Sequence, residues 1–195
     1  MKSPILFIIL SVLASAVFAE ENIPSDTNAA RSAVIQQNET EGKAFLAKNA
    51  KVPGTIVLPS GLQYRVVKAG TGEVPTTNNL VFIKYRGRFI DGSEFNHHNR
   101  FLTWTTGGIK GWQEALQKMH VGAKWQIFVP PALAFGDEGE DYFHIGPRTT
   151  LIYDLELLSI APPNPELATG GLGHGLEENP STATPGAEEN SVNFK

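Results

Sequence analysis

One stretch leaves the chain little freedom: Gly111 to Gly136, GWQEALQKMHVGAKWQIFVPPALAFG. Trp112, Ala115, Leu116 and Met119 recur at helical spacing, while Gln113, Glu114, Gln117 and Lys118 form the opposite face. A short helix with one apolar stripe has to lie against a sheet. Gly122 supplies a turn. Ala123, Trp125, Ile127 and Val129 then alternate with Lys124 and Gln126, the pattern of a half-buried strand. Pro130 and Pro131 end that strand, since neither can donate to a ladder.

The flanking sequence supplies the other strands. Leu62, Tyr64 and Val66 alternate with Gln63 and Arg65. Val81, Ile83, Tyr85 and Phe89 alternate with Lys84, Arg86 and Arg88, and Asp91-Gly92 is a hairpin turn. A return strand is expected from Ser93 to Phe95, a loop from Asn96 to Arg100, and a further extended piece from Phe101 to Thr105. Leu151, Tyr153, Leu155 and Leu157 alternate with Asp154 and Glu156 in the last strand. The expected fold is α+β: an antiparallel sheet curved around one short helix, preceded by an N-terminal helix.

Both ends differ in composition. Residues 1–19 read as a signal peptide: Lys2, an apolar run from Ile5 to Leu13, and Val17 with Ala19 at a cleavage site. The run is too short for a span of about 20 residues. Residues 20–51 form a polar helical segment, capped at Ser25 or Asp26, with a small stripe of Ala30, Ala33 and Val34 and a second of Phe45 and Leu46. No sustained heptad marks a dimer seam, so a monomer is favoured, and this segment is where a dimer would form. Residues 162–195 are rich in Pro, Gly and Glu, too poor in apolar groups to offset ordering entropy, and are expected to be disordered.

Composition excludes several chemistries. The chain has 195 residues, no cysteine and a formal charge of −4. There is therefore no thiol nucleophile, no disulfide and no N-terminal lipid-bearing cysteine, and nothing points to nucleic acid. His97 and His98 lack a third ligand at metal-site spacing and read as a solvated loop. Asp137 to Asp141 lacks a calcium-loop pattern. No cofactor or metal is expected.

Read together, Ile109-Lys110-Gly111-Trp112, Glu114-Ala115-Leu116, Val121-Gly122, Val129-Pro130-Pro131 and Ala134-Phe135-Gly136 resemble the centre of the FKBP-type peptidyl-prolyl cis-trans isomerases. Ala44-Phe45-Leu46, Leu58 to Tyr64 and Ile145-Gly146-Pro147 resemble its bacterial macrophage-infectivity-potentiator (Mip-like) branch. The resemblance runs from about Phe45 to Ile160 and implies an isomerase domain over residues 52–161. It implies a pocket with catalytic positions at Tyr85, Phe95, Asn96, Trp112, Phe135 and Tyr153, and substrate contacts at Phe101, Ile109, Ile145 and His144. Asn96 stands where the family usually has aspartate, Phe135 where it has tyrosine, and Tyr153 where it has phenylalanine. Gly108 also precedes Ile109 where an apolar side chain is common.

The resemblance implies non-covalent isomerisation of X-Pro bonds in exported proteins, attenuated by these departures, with weak binding of macrolide inhibitors. The alternative is a chaperone or surface-recognition module that grips proline-containing segments with little turnover. The expected location is the periplasm, or the outer surface or medium after secretion. N-terminal sequencing of the exported protein should begin at Glu20 or within a residue or two; intact Met1 in a membrane fraction would reject cleavage.

Overall fold

The computed structural model describes residues 27–162. The expected signal peptide, the Ser25/Asp26 cap and nearly all of the tail lie outside the described residues. The elements in chain order are α1 (Thr27–Asn49), β1 (Ile56–Val57), β2 (Gln63–Lys68), β3 (Leu80–Arg88), β4 (Glu94–Trp104), α2 (Lys110–Leu116), β5 (Lys124–Val129) and β6 (Leu151–Ile160). A 3-10 turn spans Pro131–Leu133, directly after the proline pair that ends β5. The strands form one antiparallel sheet in the order β1-β2-β5-β6-β3-β4.

The inner face of the sheet packs against α2. Val81, Ile83 and Tyr85 of β3, Trp125, Ile127 and Val129 of β5 and Leu151, Tyr153, Leu155 and Leu157 of β6 join Trp112, Ala115 and Leu116 of α2 in one core. Met119, expected on the helix stripe, lies beyond the end of α2 but is fully buried in the same core. A seven-residue helix is too short to be stable alone, so this burial is what holds it.

The outer face is covered at one end by α1. Gln63, Phe128 and Ile152 stand side by side across β2, β5 and β6. Phe128 is 2% exposed and meets Phe45 of α1 at a ring-centroid distance of 6.0 Å. The Gln63 amide is buried and closed on both sides: Asn49 Nδ2 donates to its Oε1 at 2.8 Å, and its Nε2 donates to the Leu46 carbonyl at 3.0 Å. Gly42 sits so close to Thr150 that a β-carbon there would collide with the Thr150 hydroxyl.

Farther along the outer face a polar row is exposed to water. Arg65 donates to Gln126 (2.7 Å), Gln126 to Asp154 (2.9 Å), and Arg86 to Asp154 (2.9 Å). Burial opposes ionisation of Asp154, but hydrogen bonds from Arg86 and Gln126 and the charge of Arg88 hold its carboxyl below the usual range.

Three expectations change. Residues 96–100 are not a loop: β4 runs unbroken from Glu94 to Trp104 with an extra residue between the Tyr85–His98 and Ile83–Phe101 pairs. It is an edge strand, so its outward side chains can be polar. The Ala30, Ala33 and Val34 stripe does not dock; all three are exposed, Val34 at 44%, because α1 meets the domain through Asn38, Gly42, Phe45, Leu46 and Asn49 instead. Val66 is exposed at 47%, since β1 pairs only with Gln63 and Tyr64 and leaves that end of β2 uncovered.

The outer apolar contact should be worth as much as an inner one. Phe128→Ala should destabilise by about 3–5 kcal/mol in denaturant unfolding, although Phe128 lies outside the α2 core; a loss below about 1 kcal/mol would mean that α1 does not cover it in solution.

Candidate functional site

The inner face carries an aromatic cluster built from three strands and α2. Tyr85 comes from β3, Phe95 and Phe101 from β4, Tyr153 from β6, and Trp112 from the first turn of α2. Tyr85 and Trp112 are each 6% exposed and Tyr153 is 3% exposed. Trp112 lies at its centre: its ring centroid is 4.6 Å from Tyr85, 5.1 Å from Tyr153 and 6.5 Å from Phe101, each edge-on. Phe95 meets Tyr153 edge-on at 5.7 Å, and Phe101 meets Tyr85 at 5.7 Å. Edge-to-face packing is the preferred arrangement for such rings.

Gly87 makes the cluster fit. It stands opposite Asn96 and Tyr153 in the sheet, and a β-carbon there would drive into the Phe95 and Tyr153 rings. A side chain at this position would displace one wall.

Polar groups are few. Asn96 Nδ2 donates to the Tyr85 hydroxyl at 3.0 Å. Burial pushes the Tyr85 phenol up to about 12, with the Asn96 hydrogen bond opposing the rise. Burial pushes Tyr153 up further, and the neighbouring Tyr85 adds to it. Both hydroxyls are therefore neutral donors throughout the physiological range. The Trp112 indole N–H is buried without a hydrogen-bond partner among the described residues. Such an orphan donor carries a desolvation cost.

The remaining expected positions sit around this centre. Ile145 is buried in the same core, and Ile109, immediately before α2, packs against it half-buried. Phe135 is half-buried at the edge of the core, after the 3-10 turn. His144 is exposed, in a left-handed conformation with φ 53°.

Two wall residues were not expected. His98 lies on β4 rather than in a solvated loop, with its ring 5.4 Å from both Tyr85 and Phe101. Phe143 reaches Phe95 at 6.3 Å from the loop before β6. Only the register of β4 reveals His98, and only the fold of the loop reveals Phe143. His97 faces the other way and bonds Glu94. Among the described residues, no three His, Cys, Asp or Glu side chains are grouped to hold a metal. Two further concavities lie elsewhere, one beside α1 lined by Asn38, Phe89, Ile90 and Thr150, the other at Lys84, Arg86 and Asp154.

What this arrangement offers is a largely buried aromatic cluster that holds two neutral phenols and one unpartnered indole N–H. A model of the FKBP-type peptidyl-prolyl cis-trans isomerases matches residues 71–158, and a model of the domain amino-terminal to such isomerases matches residues 14–66. The peptidyl-prolyl cis-trans isomerase Mip of Coxiella burnetii is 43% identical over 127 residues, 63% of this chain and 55% of its own length. The FKBP-type 22 kDa isomerase of Escherichia coli K12 is 36% identical over 146 residues, 73% of this chain and 70% of its own length. The crystal structure of FkpA from Escherichia coli superposes with a TM-score of 0.66 at 36% identity, covering 69% of this chain and 64% of that one. A peptidyl-prolyl isomerase structure from Pseudomonas syringae superposes at 0.61 with 31% identity, covering 65% of this chain and 96% of that one. The chain spans about half the length of several curated relatives, 54–55% for Mip and for FkpA.

The raised phenols make a pH prediction. A phenol whose folded pKa exceeds its unfolded value favours the folded state below the unfolded value, about 10, and this contribution is lost as pH rises through the folded value. Stability should therefore fall between about pH 10 and 12, and phenolate absorbance from Tyr85 and Tyr153 should appear late. Tyr85→Phe should remove part of that fall. A denaturation midpoint flat across this window would contradict the buried placement of the hydroxyl.

Proposed function

Because this chain belongs to the FKBP-type peptidyl-prolyl cis-trans isomerase family, we propose that its aromatic cluster binds proline-containing segments and speeds rotation about their X-Pro bonds. The carrying observation is the edge-on enclosure of Trp112 by Tyr85, Phe101 and Tyr153, with Asn96 holding the Tyr85 hydroxyl. The barrier to amide rotation is about 18–20 kcal/mol because rotation breaks resonance. A site lowers it by binding the twisted amide better than either planar isomer. No nucleophile is needed for that.

The roles divide by chemistry. The rings of Trp112, Tyr85, Phe101 and Tyr153 seat the apolar proline ring and keep water away. A twisted amide has lost its delocalisation, so its carbonyl and nitrogen are no longer stabilised by solvent in the way a planar amide is; a dry site suits it. Phe95, Phe143 and Ile145 wall the opening, and Ile109, His98 and His144 border it. The substrate backbone is oriented by the few polar groups at the rim. Exported polypeptides undergoing folding are the natural substrate class, consistent with the signal-like residues 1–19.

The departures Asn96 and Phe135 favour an attenuated enzyme, and in the limit a binding module. An ordinary hydrogen bond contributes about 0.5–1.5 kcal/mol, more with a charged partner, and 1.4 kcal/mol is tenfold. Losing the carboxylate charge at position 96 and the hydroxyl at position 135 weakens transition-state and macrolide binding by roughly one to two powers of ten.

A coupled isomerisation assay on the wild-type chain, Trp112→Leu and the double variant Asn96→Asp/Phe135→Tyr tests this. The wild type should turn over measurably, Trp112→Leu should lose most of kcat/KM, and the double variant should gain. Unchanged peptide binding in Trp112→Leu would misplace the pocket. Proline-peptide binding without turnover in the wild type and the double variant would support the binding module.

A further inference from the structure

If the aromatic cluster is the isomerase site, the loop from Asp137 to Thr149 is one of its walls, since Phe143 and Ile145 reach the cluster from it. Its tip folds back through paired backbone hydrogen bonds between Glu140 and Ile145, at 2.7 and 2.9 Å. Its base is held from the other side by side chains of α1.

Asn38 Nδ2 donates to the Pro147 carbonyl at 2.8 Å and to Thr149 Oγ1 at 3.3 Å. Glu39 accepts from Arg148 Nη1 at 3.2 Å. Arg148 also pairs with Asp137: Nη2 donates at 3.2 Å, and Nε lies 2.7 Å from the carboxylate without hydrogen-bond geometry. Arg31 donates to the Asp137 carbonyl at 3.0 Å and to Glu138 at 2.9 Å. Arg148 holds φ at 54°, which a residue with a side chain rarely adopts, and its N–H is fixed to the Gly136 carbonyl at 2.7 Å. An isolated exposed ion pair holds little. Here two charge pairs share Arg148, and the neighbouring Asn38 contacts are partly buried.

We infer that α1 is a positioning element of the site: Asn38 and Glu39, acting through Pro147, Arg148 and Asp137, set the pose of the loop that carries Phe143 and Ile145. The helix thereby governs how tightly a proline peptide is held, while the strands and α2 supply the chemistry.

The test is Asn38→Leu/Glu39→Gln in the full chain. Leucine and glutamine are good helix formers, so α1 is kept. Amide hydrogen exchange should quicken across residues 137–149 and stay unchanged in β3, β5 and β6. For an uncharged proline tetrapeptide, KM should rise about three- to tenfold with kcat within about twofold, the size of one or two lost hydrogen bonds. Wild-type KM should drift towards the variant's at about 1 M salt, where screening acts within about 3 Å, while the variant, left with the Arg31–Glu138 and Arg148–Asp137 pairs, should change less. Unchanged exchange in the loop overturns the inference. So does faster exchange with an unchanged KM, or an equal loss of protection in the sheet, which would mark a structural role only. If the wild type binds the peptide without turning it over, the isomerase reading fails by itself and Kd replaces KM in the same comparison. Absence of both turnover and binding rejects the isomerase reading and with it the site role; exchange then decides only whether α1 holds the loop.

Discussion

A strand with neighbours on both edges must send successive side chains to opposite faces, and β6 uses both. Ile152 points to the face that α1 covers, Tyr153 to the aromatic cluster, and Asp154 to the polar row beside Arg86 and Gln126. A slip of one residue would send the phenol outward and the carboxylate inward. The ladders to β5 on one side and β3 on the other resist that slip. The cluster, the docking of α1 and the outer charge row all inherit their positions from this register.

The register also explains why Asn96 meets Tyr85. Gly87 of β3 lies between Asn96 of β4 and Tyr153 of β6, and the missing side chain leaves the inner face open at that point. Phe95 and Tyr153 close over the gap edge-on. The site is thus a deliberate thinning of the sheet, lined afterwards by large rings. Asn96 lies beside that gap and donates to the Tyr85 hydroxyl.

The inner half of the fold was legible in the sequence, because the period-two runs of β3, β5 and β6 and the stripe of α2 each bury one face. The outer half was not. Phe128 and Ile152 fall on polar beats of their strands and are apolar only because α1 lies over them. The helix docks through Asn38, Gly42 and Asn49 as well as Phe45 and Leu46, so its apolar residues alone do not mark the docking face. β4 was hidden for a related reason: Asn96, His97, His98, Asn99 and Arg100 show no alternation on an edge strand with an extra residue. His98 was consequently read as solvent-facing, although it packs on the cluster. The residues of the aromatic cluster were named from motif order, whereas Phe143 beside Phe95 required the loop's actual path.

The strand order has a temporal meaning. β6 is the last strand made, yet it lies between β5 and β3. A chain that emerges with its N-terminus first can pair β3 with β4 as a hairpin, and β2 with β5 once the whole segment between them has been made. No backbone ladder joins the two pairs until Leu151 to Ile160 arrives. These are long-range closures, which slow folding relative to local contacts. Among the described residues, the sheet therefore becomes one continuous body only when β6 is in place.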